Sequence, residues 1–403
     1  MYHESVVQRR IEAYEKRKNI VIARKTVSEV DEIREHLEKL VDSKRGKLKR
    51  DLTRTEREFI LSERVLSKFD FRYWCERYAT IPKDGSEGGG VGRIRFWASQ
   101  EAALKIIAEQ ELRCYEAYQS GQAVDGVCVV MHKARQLGAT MLSRLLDVHR
   151  MTNWHHMRCM AASVDDDKIM ELYDRDKLCL DNLPYYLKPS IGYDVKAEHL
   201  YFDTLDSRVL YQQSRQQSGL GQGRQFDLAH LTECAFWPYP NMIELDFFPT
   251  LPLGINTLCI LESTANGLGG WWYDFTEDVR KGLQRRWRYI FAPWYIEPRK
   301  NRSHPPDQWT PSEMTMKHAR KVYETSREYT GRDVLLERDQ LYWYETEREA
   351  ARRRGKLNLF LTNYCATPEE SFQHTGNSQF GVEVLEKIRL GTVKPNYYEV
   401  TVQ

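Results

Sequence analysis

The chain has 403 residues, 41% of them hydrophobic and 29% charged, with a formal net charge of +2, which allows a packed core of two or three domains, or one large α/β domain with appendages, and neither requires nor excludes nucleic acid. Its eight cysteines are scattered without a C-x-x-C pair, so reduced thiols in a cytosol are expected rather than a disulfide framework or a zinc site. No segment has the uninterrupted apolar length of a membrane span, and "MYHESVVQRRIEAYEKRKN" has no apolar signal-peptide core.

Residues 1–66 read as a charged helical extension. Thr26-x-x-Glu29 has the form of a capping box, and Val30, Ile33, Leu37 and Leu40 then recur at helical spacing. The basic run Lys44, Arg45, Lys47, Lys49 and Arg50 has two readings, a solvated turn between helices or a contact with phosphates or an acidic partner. A second box, Thr53-x-x-Glu56, opens a helix carrying Phe59, Ile60 and Val65. The stretch Pro82 to Gly92, "PKDGSEGGGVG", is a loop by composition.

Residues 67–290 then change pattern. "GVCVVMH" (Gly126 to His132) is an apolar run of strand length, and "TMLSRLLDVHR" after it puts Met141, Leu142, Leu145 and Leu146 on one helical side. "MRCMAAS", "RVLYQQS", "FDLAHLT" and "NTLCILEST" are further buried-strand candidates. Short apolar strands alternating with helices predict a doubly wound, mostly parallel α/β sheet, with ligands at the carboxyl ends of its strands. Residues 291–375 read as a lid or second small subdomain. It closes on Thr367, Pro368 and Glu370, a capping box with Pro at the first helical position. Residues 376–403 read as a linker.

At the end of the first of these strands stands "HKARQLGAT", His132 to Thr140. It approaches the phosphate-binding (Walker A) pattern G-x-x-x-x-G-K-[ST], in which backbone N–H groups cradle phosphates, Lys reaches the terminal phosphates and Ser/Thr holds magnesium. Gly138 and Thr140 fit, but Ala139 stands where Lys belongs and Lys133 where the first Gly belongs. Either the lysine has moved or the match is a coincidence. Lys133 and Arg135 flank the loop from its other end, and both are long enough to fold back over a phosphate. The helix that follows would offer its N-terminal N–H groups and dipole.

Three further stretches bear on that choice. "FDLAHLTECAFWP" is an apolar strand ending in Thr232 and Glu233. A carboxylate there can orient or activate water, and the preceding position, usually Asp, supports the Mg²⁺ shell. Thr232 could hold a metal-bound water but adds no charge, and a strand end facing solvent is the alternative. "CILESTANGLGGWWYDF" ends a strand in Ser263, Thr264 and Asn266, which could touch the γ-phosphate or form an ordinary strand–helix turn. In "GRIRFWASQEAAL", Gln100 could pair with an adenine edge, with Phe96 or Trp97 stacking on the ring, or it is a surface helix residue.

Taken in this order, "KARQLGAT", "HLTECAFWP", "ESTANGLGGWWYDF", "FAPWY" and "YCATPEESFQHTGNSQF" resemble the ATPase portion of the large terminase subunit of tailed bacteriophages. The resemblance runs from about Phe71 to Phe380. It implies a P-loop NTPase fold of the ASCE type and an ATP-hydrolysing motor that translocates double-stranded DNA into a procapsid through the portal. Lys133 then answers to the phosphate lysine, Arg135 to a cis-acting arginine finger and Glu233 to the catalytic glutamate. Gln100, Lys133, Gln136, Gly138, Ala139 and Thr140 form the implied ATP- and phosphate-binding set. Thr140, with Thr232 through a water, is implied at the metal, and Ser263, Thr264 and Asn266 in coupling. Thr232 departs from the family's commoner Asp.

The implied cofactors are ATP and Mg²⁺. The implied partners are double-stranded DNA, the portal protein, the small terminase subunit and further copies of the chain in a ring on the procapsid, in the host cytoplasm, with a monomer expected in isolation and no membrane partner. Arg215 and Arg224, in "QQSRQQSGLGQGRQ", are candidates for DNA or a neighbouring subunit. Large terminases also carry a nuclease, whose two-metal chemistry needs several carboxylates. After Glu370 the chain has only Glu383, Glu386 and Glu399 and no Asp, so a nuclease domain is expected to be absent from this chain. Two other readings stay open: another DNA-dependent P-loop ATPase of helicase type, and a non-catalytic DNA- or portal-binding module with a decayed nucleotide site.

Overall fold

Both expected N-terminal capping boxes form. Thr26 and Thr53 each accept from the backbone N–H three residues on, and Glu29 and Glu56 return a carboxylate to the cap N–H, which satisfies donors that a helix start leaves open. In the computed structural model, which describes residues 2–42, 47–83, 85, 88–194, 199–215, 219–221 and 223–372, the helices α1 (Glu4–Lys18), α2 (Val27–Lys39) and α3 (Arg54–Phe69) lead the chain. The short strands β1 (Val41–Asp42) and β2 (Lys47–Leu48) pair between α2 and α3. Lys44 and Arg45 lie outside the described residues. Arg50 forks onto Glu56 at 2.7 and 2.9 Å, and Lys49 Nζ donates to the Lys39 carbonyl at 2.8 Å, so these two side chains serve the turn itself. Next come α4 (Phe71–Arg77), the hairpin β3 (Thr80–Pro82) with β4 (Val91–Arg93), and α5 (Ala98–Gln119).

The central sheet uses β5 (Val127–Lys133), β6 (Arg158–Ser163), β7 (Ile191–Asp194), β8 (His199–Phe202), β9 (Ser207–Gln213), β10 (Leu228–Thr232), β11 (Leu258–Ser263) and β12 (Trp287–Ala292). Helices α6 (Ala139–Asn153), α7 (Asp166–Asp181) and α8 (Trp271–Arg280) alternate with them. Among the described residues the order is β12-β5-β11-β10-β6-β9-β8-β7. The strands from β12 to β9 run parallel, and β8 and β7 add an antiparallel edge. This is the doubly wound, mostly parallel α/β sheet expected of a P-loop fold. The strands expected from apolar runs are β5, β6, β9, β10 and β11. The strands not expected from the sequence are β12, whose apolar run is interrupted by Arg288, and β7 and β8, which are short and mixed in polarity.

Alternate residues of each strand divide the core. Val127, Val129, Met131, Leu228, Leu258 and Ile260 join α6, α7 and the N-terminal helices on one face. Cys128, Val130, Ala229, Leu231, Cys259 and Leu261 join α8 and the segment after β10 on the other. Burial on both sides is why these strands read as unbroken apolar runs. A third cluster gathers Ala134, Leu137, Phe291 and Trp294 with the last helices, α9 (Glu313–Thr330), α10 (Arg338–Arg353), α11 (Leu357–Asn363) and α12 (Pro368–Ser371). The expected box at Thr367 forms in half. Thr367 Oγ1 accepts from the Glu370 N–H, but Glu370 Oε2 accepts from Ala366 N at 2.6 Å rather than from the cap residue. The expected linker 376–403 lies outside the described residues.

One charged group is sealed under the sheet. Arg144 on α6 is 1% exposed, donates to Asp147 at 2.7 Å and forks onto Asp176 of α7, which also accepts from Tyr211 Oη at 2.6 Å. Removing one partner of such a network leaves charge uncompensated in the core, at a cost of about 3–5 kcal/mol. Arg144→Met is therefore expected to lower the urea-unfolding free energy by about that much. Arg54→Ala, which breaks an exposed pair with Glu58, should cost under about 1 kcal/mol. Equal small losses in the two variants would show that the buried network does not hold α6 to α7.

Candidate functional site

The backbone of the loop between β5 and α6 is held by hydrogen bonds to distant segments. Ala134 N donates to the Ala292 carbonyl at 2.8 Å and Arg135 N to the Asn363 carbonyl at 2.9 Å. From α5, Ser99 Oγ donates to the Leu137 carbonyl at 2.7 Å and Gln100 Nε2 to the Gly138 carbonyl at 3.0 Å. Gln136 and Gly138 both take left-handed backbone, with φ of 59° and 73°. At Gly138 a Cβ would lie 2.7 Å from Gln100 Nε2 and 3.2 Å from the Trp97 ring, so a side chain there would meet left-handed backbone and displace the Gln100 amide. α6 begins at Ala139 with no side-chain cap, which leaves its first N–H groups to an outside acceptor.

Lys133 ends β5 and is buried. Its Nζ lies 4.0 Å from Oε2 of Glu262, a residue to which the sequence reading gave no role. Glu262 sits on β11, the strand between β5 and β10, and is fully buried. Its Oε1 is 3.0 Å from His230 Nε2. Its Oε2 has no hydrogen-bond partner among the described residues. Burial pushes this carboxyl up, but the Lys133 ammonium, the His230 ring and the Thr140 hydroxyl outweigh it and hold Glu262 at about 2. A charge inside the apolar run "LCILES" was the available signal, since buried carboxylates are almost always paired.

Thr232 and Glu262 are Cα partners across β10 and β11. Aligned residues of parallel strands share a face, here the face that carries α6. Glu233 follows Thr232, half-buried, with φ 56° and ψ 33°. A non-glycine residue in the left-handed region costs about 1–2 kcal/mol, and such strain gathers where a side chain must be aimed. The turn is fastened from β11 and beyond. Ala235 N donates to Ser263 Oγ at 3.1 Å, and Asn266 Nδ2 donates to the Ala235 carbonyl at 3.0 Å. Trp237 Nε1 adds a bond to the Thr232 carbonyl at 3.0 Å. The Glu233 carboxylate itself makes no hydrogen bond among the described residues.

The fold thus gathers Lys133, the Gln136–Thr140 loop, Thr232, Glu233, Ser263, Thr264 and Asn266 at the carboxyl ends of neighbouring strands. The strand beside β5 is β11, however, so β10 with Glu233 is next but one. Gln100 reaches the loop, but its amide faces inward: Oε1 accepts from Trp97 N at 2.9 Å while Nε2 bonds to Gly138. Trp97 lies against Gly138 and carries the Lys300 ammonium 4.1 Å from its ring centroid. Phe96 turns away to pack on Phe71, with the Arg72 guanidinium over it. Arg135 is exposed, with no side-chain partner among the described residues. Arg215 and Arg224 are exposed on the segment between β9 and β10.

Magnesium fits this donor set by the chemistry of its members. The cation keeps most of its waters and takes one or two protein oxygens beside substrate phosphates. The Thr140 and Thr232 hydroxyls and the unpartnered Glu262 Oε2 are such oxygens. Among the described residues no cluster of three His, Cys, Asp or Glu forms an all-protein cage.

No family model and no curated protein matches the chain. Among solved structures, the HK97 bacteriophage large terminase superposes with a TM-score of 0.50 at 11% identity, over 74% of this chain and 54% of that one. The chain therefore spans about half the length of that terminase. The large terminase ATPase domain of Thermus phage P74-26 gives a TM-score of 0.34 at 12% identity, over 58% of this chain and 94% of that one. At such identity the first likeness shows a shared fold, that of a phage large terminase.

The strain at Glu233 is testable on its own. Asparagine tolerates the left-handed region better than glutamate, so Glu233→Asn should raise the unfolding free energy by about 0.5–1 kcal/mol. Chemical denaturation measures it. A variant less stable than wild type would mean that Glu233 makes a stabilising contact that outweighs its backbone cost.

Proposed function

We propose that this chain is the ATP-hydrolysing motor of viral genome packaging, which translocates double-stranded DNA into a procapsid through the portal. The observation that carries the reading is Lys133, a buried lysine at the mouth of a glycine-fixed loop that leads into an uncapped helix start, with Glu233 on strained backbone two strands away. A lysine displaced to the front of the loop still brings its ammonium to the end of β5. That supports a relocated phosphate lysine over a coincidental match.

In this reading the first N–H groups of α6 and the Lys133 ammonium bind the β- and γ-phosphates of ATP, and Thr140 offers its hydroxyl to the metal. Thr140, with Thr232 through a water, would hold magnesium there, and the cation would supply positive charge against the phosphates. Glu233 orients the attacking water and takes its proton. Arg135, exposed at the loop's outer side, swings onto the transferring phosphoryl group as a finger in cis. Ser263 and Asn266, bonded to both polar groups of Ala235, tie the Glu233 turn to the turn after β11. With Thr264 they pass on the loss of the γ-phosphate. Gln100 buttresses the loop through the Gly138 carbonyl, and reading adenine requires its amide to leave that carbonyl. Arg215 and Arg224 are proposed contacts for DNA or a neighbouring subunit.

The proposed partners are double-stranded DNA, the portal, the small terminase subunit and other copies of the chain in a ring, with assembly in the host cytoplasm. No helix among the described residues is long and apolar enough to cross a membrane.

Two substitutions divide the labour. Lys133→Ala should reduce ATP turnover at least ~100-fold, as loss of a group stabilising the transition state does. Glu233→Gln should keep nucleotide affinity within a few-fold and lose ~10²–10⁴ in turnover. Steady-state hydrolysis and equilibrium binding of a fluorescent ATP analogue measure the two quantities. Wild-type turnover in Lys133→Ala would overturn the reading.

The assembly has its own signature. A finger arginine contributes ~10³–10⁵ to phosphoryl transfer once it is ordered. The isolated chain should therefore turn over slowly, and duplex DNA should stimulate it with a steep loss on adding salt, as phosphate contacts dictate. A fast rate that is flat across protein concentration, DNA and salt would show that the site is complete in the monomer.

A further inference from the structure

We infer that Glu262 supplies the magnesium-shell carboxylate that Thr232 lacks, so that the anionic ligand of the nucleotide site has moved from the end of β10 to the same level of the adjacent strand. The inference rests on the nucleotide-site reading. In P-loop NTPases an Asp at the strand end before the catalytic residue holds the metal. Here that position is Thr232, whose hydroxyl carries no charge. Its Cα partner across the sheet is Glu262, so a carboxylate is present one strand over, on the face that carries the loop helix.

The state of Glu262 points the same way. It is fully buried, yet Oε2 has no hydrogen-bond partner among the described residues, while Oε1 is taken by His230 at 3.0 Å. A purely structural carboxylate in a dry core is expected to have both oxygens satisfied. The unsatisfied oxygen is the one nearer Lys133, whose Nζ at 4.0 Å is beyond hydrogen-bond reach. Thr140, the expected metal-binding hydroxyl, lies close enough to act on the same carboxyl. One oxygen fixed by His230 and the other facing the Lys133 ammonium, with the Thr140 hydroxyl beside the carboxyl, is the arrangement of an oriented metal-shell ligand. Glu262 as a simple counter-ion for Lys133 is the competing account.

The two accounts separate in binding. With the full chain, the affinity of a non-hydrolysable ATP analogue is measured in EDTA and in Mg²⁺ by fluorescence, and bound Mn²⁺ is counted by electron paramagnetic resonance. Wild type should bind more tightly with metal. Glu262→Gln keeps the shape and the acceptor for His230. It should lose ~10–100-fold of the metal-dependent part while still binding in EDTA. Thr232→Asp/Glu262→Gln returns the carboxylate to β10 and should restore the metal dependence. It also keeps the charge count if Glu262→Gln alone fails to fold. A metal-dependent increment unchanged in Glu262→Gln, with tighter binding in EDTA as the freed Lys133 meets phosphate, would overturn the inference in favour of the counter-ion. So would a folded double variant without metal dependence. If wild type binds no nucleotide under either condition, the nucleotide-site reading itself falls, and this inference with it.

Discussion

A buried carboxylate in the middle of a parallel sheet is the constraint around which this end of the molecule is arranged. Glu262 lies where apolar side chains would pack at no cost, and an isolated charge there would be strongly disfavoured. His230 from β10, Lys133 from β5 and Thr140 from α6 answer it from three directions. Each of those residues is thereby fixed relative to the others: the lysine at the entrance of the loop, the hydroxyl at the start of the helix, and the strand that leads to Glu233. This one carboxyl thus ties together the groups proposed to meet ATP.

The loop is made rigid by a different means. Its conformation depends on left-handed backbone at Gln136 and Gly138, which an isolated peptide would rarely hold. Four bonds to Ala292, Asn363, Ser99 and Gln100 make it the lowest-energy path. The partners come from β12, α11 and α5. The apolar packing of Ala134 and Leu137 into the third core cluster does the rest. A neutral His132, pushed down to about 3 by burial and nearby cations, joins β5 to Tyr289 and to Ser371 of α12 at 2.8 Å each. The small C-terminal helices are therefore part of the loop's support.

Much of this was legible in the sequence, for identifiable reasons. The boxes at Thr26 and Thr53 are local signals, complete within four residues, and both form. Strands buried on two faces leave unbroken apolar runs, so β5, β6, β10 and β11 could be read directly, and the loop followed from its place after β5. What escaped depends on pairing. That β11 separates Glu233's strand from the loop is a matter of strand order, on which no local pattern reports. Glu262 was visible as a letter in "CILEST", but its role follows only from its register with Thr232. Gln100 was read from its chemistry alone, and its inward amide became apparent only with Gly138 opposite. β12 was hidden by Arg288, whose side chain bonds to the Arg285 and Trp287 carbonyls and so leaves the strand intact.

The bond from the Arg135 N–H to the Asn363 carbonyl has a consequence for how force would travel. It joins the tip of the loop to the last residue of α11 directly, without passing through the sheet. α11 shares its core cluster with α9 and α10. A torque on these helices therefore arrives at the loop through this peptide contact as well as through the packing of Ala134 and Leu137, close to the pivot made by the left-handed Gln136. Displacement of the loop tip returns along the same route. The small helical layer and the loop form a short lever with its fulcrum at the end of β5, and the stiff parallel sheet is the frame against which it turns.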